Sequence, residues 1–220
     1  MSVIKAAHSP WAEMLFDIYI TRLMNKNFSG FYHFGGFPEL HEIEKLVITP
    51  NHFSWWDGFF MYRYKQKFLT RRKLHLLMLE SQLKRYWFFA KVGAYSIDPA
   101  NPKKIINTIS YTSEILNDPK NFVVIYPQGE IEPQDAERMN VKKGIVKVIE
   151  KSGEDVAVVP VAFKIVYGEE MKPAVFSACG KKFDSAAIKD SFEEYVSEMN
   201  RTLKMLSGMN YSDYTNGISY

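Results

Sequence analysis

Two hydrophobic periods alternate along this chain. Short continuous apolar runs bounded by Gly, Pro, Asn or Asp predict buried strands, and apolar positions three and four apart predict helices. The strand runs are Leu46 to Thr49 before Pro50, Leu74 to Leu79, Gly93 to Ile97, Phe122 to Tyr126 and Val156 to Val161, with β character continuing to Cys179. Between them, Gly58 to Tyr62 opens an apolar helix. Pro102 to Leu116 predicts a helix started by Asn101, with Ile105, Ile106, Ile109 and Ile115 as its apolar stripe. Further helices are expected over Gly144 to Glu150 and over 186–206. Residues 9–28 predict an N-terminal amphipathic helix that places Trp11, Met14, Leu15, Ile18, Tyr19 and Leu23 together. Such a stripe suits either packing on the domain or contact with a membrane. Phe28 to Pro38 predicts a turn or short hairpin, and the polar tail from Ser207 a frayed end. Strands alternating with helices specify an α/β fold, a single-domain mixed sheet flanked by helices. The expected division is an N-terminal arm and turn over 1–42 and one α/β unit over 43–220.

Composition narrows the class. At 220 residues the chain suits one sizeable domain. Aromatic residues make up 15%, more than a core needs, and amphipathic aromatics favour interfaces. Cys179 is the single cysteine, which excludes an intrachain disulfide and favours a reducing compartment. No signal peptide and no run of 18 apolar residues is expected. The net charge of +3 is unevenly spread. Residues 1–110 hold 15 Lys and Arg against 8 Asp and Glu, and residues 111–220 hold 13 against 17. The basic half also carries most of the aromatics, including Lys84-Arg85-Tyr86-Trp87-Phe88-Phe89, a pattern for a bilayer interface, an acyl-chain groove or a core helix. An anionic lipid surface fits this better than nucleic acid, for which no module or phosphate-cradling loop is present. No Cys/His spacing suits a metal ion, and Cys179 suits a buried structural thiol.

The chemistry concentrates at Asn51-His52-Phe53-Ser54-Trp55-Trp56-Asp57. His52 falls where a strand turns into a helix, the usual place for a functional group in an open α/β sheet. On one continuous helix, residues five apart point about 140° away from each other. His52 and Asp57 meet only if His52 lies in the turn and Asp57 in the first helical turn. The pair then forms an imidazole oriented by a carboxylate, as a general base requires. Ser54 to Asp57 equally fits a capping box, with Asp57 serving a helix start.

Four strand-end turns follow in order: His52 to Asp57, Gly93 to Asp98, Tyr126 to Glu130, and Val159-Pro160-Val161. This order resembles the glycerolipid acyltransferase superfamily, with its N-H-x4-D, G-x-x-F-I-D-R, F-P-E-G-T-R-S and V-P-V blocks, over about residues 45–165. The resemblance implies an acyltransferase fold and transfer of a fatty acyl group from an acyl thioester, acyl-CoA or acyl carrier protein, to a lipid hydroxyl. His52 would be the general base and Asp57 its orienting carboxylate. The same blocks imply a substrate site drawn from Asn51, Gln128, Gly129, Glu130 and Pro160. Lys142, Lys143 and Gly144 resemble a lysine-glycine element that meets acceptor phosphate or donor pantetheine. No bound cofactor is implied, and the protein would sit peripherally on the cytoplasmic face of a membrane.

The departures concern the acceptor. Pro99 stands where the family has an arginine, and Gln128, Glu130 and Ile131 stand where it has Glu, Thr and Arg. Neither Pro nor Ile can hold a phosphate bidentately. Glu130 and Glu132 would repel one unless Lys142 or Lys143 compensates. The expected acceptor is therefore a lipid whose head group is not a simple phosphomonoester. A lipid-binding protein and a thioesterase-like hydrolase are the alternatives.

Overall fold

Leu46, Val47, Ile48 and Thr49 are all fully buried, and successive side chains enter opposite layers of the molecule. Only a central strand covered on both faces needs such a run. The computed structural model describes residues 3–220. Its strands are β1 (Gly30–Phe34), β2 (Lys45–Pro50), β3 (Lys73–Leu79), β4 (Ala94–Ile97), β5 (Asn121–Val124), β6 (Val156–Val166), β7 (Ala174–Cys179) and β8 (Ile218–Ser219). The helices are α1 (Pro10–Asn27), α2 (Asp57–Phe68), α3 (Glu80–Arg85), α4 (Pro102–Leu116), α5 (Gly144–Ser152), α6 (Ser185–Asp190) and α7 (Phe192–Ser207). The eight strands form one mixed sheet in the order β4-β3-β5-β2-β6-β7-β1-β8. From β4 to β6 all neighbours are parallel, while β7 runs antiparallel to β6.

Period-two alternation sorts the sheet into two cores. Leu46 and Ile48 of β2, with Phe122 and Val124 of β5, pack with α1 and α2; Val47 and Val123 face the layer of α4, α5, α6 and α7. At the start of β4 only glycine fits. Gly93 has φ +106°, and a Cβ there would lie 2.0 Å from the carbonyl oxygen of Leu74.

Several local expectations are corrected. Residues 30–34 form no hairpin; β1 pairs in parallel with β7, far along the chain. The tail is ordered rather than frayed. Asn210 and Asp213 cap a 3-10 turn (Tyr211–Asn216), β8 pairs with β1, and the Tyr220 hydroxyl bonds Ser177. Helix α1 buries Ala12, Phe16, Ile20 and Met24, so the stripe of Trp11, Met14, Leu15, Ile18 and Tyr19 faces outward. Helix α4 buries Lys104, Thr108 and Thr112 together with Ile115, and of the expected isoleucine stripe Ile106 is exposed. A buried polar network explains this choice. Thr108 bonds the Ser96 carbonyl, Thr112 bonds the Tyr95 hydroxyl, and Lys104 pairs with Glu80 and Asp98 at 2.7 and 3.0 Å. The C-terminal helix is two helices, broken at Ser191.

Candidate active site

The parallel strands β4, β3, β5, β2 and β6 all point the same way, so the turns after β2, β4 and β5 gather along one edge of the sheet. His52 lies in the turn between β2 and α2, and Asp57 is the first residue of α2. The His52 Nδ1 is 2.7 Å from Asp57 Oδ2. That carboxylate is fully buried and also accepts hydrogen bonds from the Phe53 and Ser54 amides at 2.7 and 2.9 Å and from the Ser54 hydroxyl at 2.6 Å. A carboxylate that already takes three other donors offers Nδ1 only an acceptor, so Nδ1 carries the proton and Nε2 presents a lone pair. Nε2 has no hydrogen-bond partner among the described residues, and the ring is about one-quarter exposed (24%).

The capping and orienting readings of Asp57 coexist. Asp57 accepts the Ser54 N–H as a capping box requires. The reciprocal bond is missing, because the Ser54 hydroxyl donates to Asp57 and accepts from the Trp56 amide at 3.1 Å. The turn is thus built around a buried charge whose remaining donor is the imidazole.

Sequence reasoning marks Tyr126, at the end of β5, only as the start of the third block. Its ring stacks on His52 with centroids 4.3 Å apart. Its hydroxyl is buried without a partner, and burial together with the Asp57 charge pushes the phenol pKa well above its ordinary value. It is a neutral floor that fixes the imidazole plane.

The other candidate residues divide into struts and exposed groups. Asn51 is buried, and both ends of its amide are occupied by the Phe163 backbone at 2.9 and 2.8 Å, so it ties β2 to β6 and offers nothing to a substrate. Gln128 is also buried. Its oxygen accepts the His52 amide at 2.5 Å and its nitrogen donates to Glu132 Oε2 at 2.6 Å. A glutamate here would face Glu132 as a like charge; the amide makes the contact a bond. The Glu132 carboxylate also accepts the Asn140 backbone N–H at 3.2 Å. Its backbone N–H donates to the His52 carbonyl at 2.9 Å, which fastens the third-block loop to the His52 turn. Glu132 is an internal strut rather than a free acid.

Gly129, at φ +73°, lies against the Lys142 side chain. Glu130 and Lys142 pair with each other at 3.0 Å on the surface. Lys143 is exposed over the Phe192 ring, and Gly144 opens α5 where a side chain would meet nothing. Pro160 is buried in β6 opposite Thr49, and the carbonyl of the next residue, Val161, accepts the Asn51 N–H at 3.2 Å. Pro99 and Ile131 are both exposed, on turns after β4 and β5.

Trp55, in the His52 turn itself, is half-exposed and contacts Phe59, Tyr86 and Phe89. Trp87 is more exposed still and joins the outward face of α1 through Phe88 and Trp11.

Comparison with known proteins supplies a family and a fold. A family model described as Acyltransferase matches residues 34–164. No curated protein matches the sequence. Among solved structures, the chain is similar to the crystal structure of the 1-acyl-sn-glycerophosphate (LPA) acyltransferase, PlsC, from Thermotoga maritima. The TM-score is 0.62 at 13% identity, over 89% of this chain and 80% of that chain. At that identity the likeness is one of fold.

Proposed function

The chain belongs to the acyltransferase family, and from that premise we propose that it moves a fatty acyl group from an acyl thioester to a hydroxyl of a membrane-lipid acceptor. The observation that carries this reading is the His52–Asp57 pair, with Nδ1 held at 2.7 Å and Nε2 free. In the proposed reaction Nε2 takes the proton of the acceptor hydroxyl as its oxygen attacks the thioester carbonyl. The tetrahedral intermediate then collapses, the C–S bond breaks, and the thiolate leaves with the proton that His52 had taken. Asp57 keeps the ring in place and stabilises the transient imidazolium. The donor is acyl-CoA or acyl carrier protein.

The acceptor we infer is a lipid whose head group is not a bare phosphomonoester. The exposed Pro99 and Ile131 offer no charge where the resemblance would place arginines, and Lys142 is already paired with Glu130. Peripheral attachment to the cytoplasmic face of a membrane is part of the same proposal. It is supported by the outward apolar stripe of α1 and by Trp87 and Trp55 near the His52 turn. Among the described residues no helix is long and apolar enough to cross a membrane.

The test is thiol release from acyl-CoA, measured with and without a lipid acceptor. Acceptor-dependent release that His52→Ala abolishes supports transfer. Release without acceptor identifies a hydrolase, and binding of lipid with no release identifies a lipid-binding protein.

A further inference from the structure

The loop that follows the third block does more than brace His52. Between residues 138–143 and the first turn of α7 lies a cavity of about 370 Å³. Two cations line it, Arg138 and Lys143, together with Asn140. Among the described residues neither cation has a carboxylate partner, although Lys142 beside them is paired with Glu130. The Glu193 carboxylate also faces the cavity, which leaves the lining with a surplus of one positive charge. The floor is apolar, formed by the buried Met139 and Val196. Two unpaired cations and an amide over an apolar floor are the chemistry of a phosphate ester carrying a less polar body.

The placement of this cavity selects the source of the phosphate. None of the residues lining the cavity belongs to the His52 turn, and the loop is tied to that turn through Glu132, which accepts the Asn140 backbone N–H and donates its own N–H to the His52 carbonyl. A phosphate next to the reacting hydroxyl would have to lie on the His52 side of that loop. A phosphate at the far end of a long arm would not. In an acyl thioester donor the pantetheine arm separates the thioester from the phosphates. We propose that Arg138 and Lys143 hold the phosphate end of that donor, with Arg138 as a specificity residue that nothing in the four blocks identifies. This rests on the acyl-thioester reading of the site. It also gives the basic residues after the third block a task distinct from acceptor binding.

The experiment is titration calorimetry of the full chain at low salt with coenzyme A, with 4′-phosphopantetheine and sn-glycerol 3-phosphate as further probes. Wild type should bind coenzyme A, and Arg138→Ala should weaken that binding about tenfold, the share of one charge-assisted contact at an open rim. Arg138→Lys should recover part of it. Lys120→Ala, which removes one charge at the opposite edge of the sheet, should change it less than about twofold. In steady state the Arg138→Ala defect should fall on KM for acyl-CoA, with kcat held. Thermal unfolding of each variant separates lost binding from lost fold. The proposal is overturned if wild type binds neither coenzyme A nor phosphopantetheine. It is equally overturned if Lys120→Ala matches Arg138→Ala, or if glycerol phosphate is the probe whose binding Arg138 controls. Arg138-dependent coenzyme A binding without acyl transfer to any lipid would sink the proposed function and leave this site standing. Transfer with a donor KM indifferent to Arg138 would do the reverse.

Discussion

Replacing Asp57 with Asn separates the charge of this residue from its hydrogen bonds. Oδ2 receives three donors, His52 Nδ1–H and the Phe53 and Ser54 amides, within 2.9 Å; Oδ1 receives the Ser54 hydroxyl at 2.6 Å. Three converging donors hold the carbonyl oxygen of an Asn at the Oδ2 position. Its nitrogen then faces Ser54 Oγ, and the hydroxyl turns from donor to acceptor; only the half-buried Ser54 O–H and the second Asn N–H must find new acceptors, at a cost of about 1 kcal/mol. The fold and the His52 tautomer therefore survive. What disappears is the attraction between the carboxylate and the imidazolium formed when His52 takes the proton. Two unit charges about 4 Å apart interact by about 4 kcal/mol at an effective dielectric constant near 20. Expressed in the transition state, that is a loss of about 10³ in rate. The assay is the initial rate of thiol release from acyl-CoA at saturating lipid acceptor, with thermal unfolding measured in parallel. Asp57→Asn should lower kcat about 10³-fold and move the unfolding midpoint by less than about 4 °C. Ser54→Ala, which keeps the charge, should cost less than about tenfold. An Asn variant with kcat within about threefold of wild type but a midpoint about 10 °C lower would refute the argument, because the carboxylate would then serve the turn alone.

Further outcomes are open to direct measurement. Leu15→Ser with Ile18→Ser, on the outward face of α1, should weaken sedimentation with anionic liposomes about 10- to 30-fold while the fold is kept; deleting residues 1–28 is a poorer test, since Ala12, Phe16, Ile20 and Met24 would leave the core. In a panel of acceptors, lysophosphatidic acid should be used more slowly than lysophosphatidylcholine, glycolipid or amino-acid lipid. Glu130→Thr with Ile131→Arg should raise its initial rate about tenfold, with Glu132 kept because it braces Gln128. The pKa values of His33 and His75 are lowered to about 4, by burial in both cases and at His75 also by the neighbouring His8. The folded state then binds these protons less readily than the unfolded chain, so stability is intact above about pH 6.5 and falls as the pH drops towards 4. Replacing both with Gln should flatten the unfolding midpoint across that window.

Much of the fold could be read from local pattern because the parallel strands are buried on both faces, and a strand with no solvent side must be continuously apolar. Leu46 to Thr49, Phe122 to Tyr126 and Val156 to Val161 announced themselves for that reason. The His52–Asp57 geometry was legible too, since the angular period of a helix allows the pair to meet only across a turn. What the sequence did not determine was decided by contacts far along the chain. Strand β1 is short and rich in aromatics, and it is a strand because β7 lies beside it, as β8 is because β1 does. The α1 helix is apolar on more than one side, and periodicity alone cannot say which stripe meets Phe59 and Tyr62 of α2; packing put Phe16 there and left Trp11 and Leu15 outside. In α4 a threonine face won over an isoleucine stripe because the polar groups of Tyr95, Ser96 and Asp98 needed partners. Asn51 and Gln128 likewise resembled substrate contacts as isolated letters, and Glu132 a charge set against a phosphate. Tertiary structure brought each within hydrogen-bond distance of backbone or of one another, and a polar group buried in that way is held by the protein before any ligand arrives.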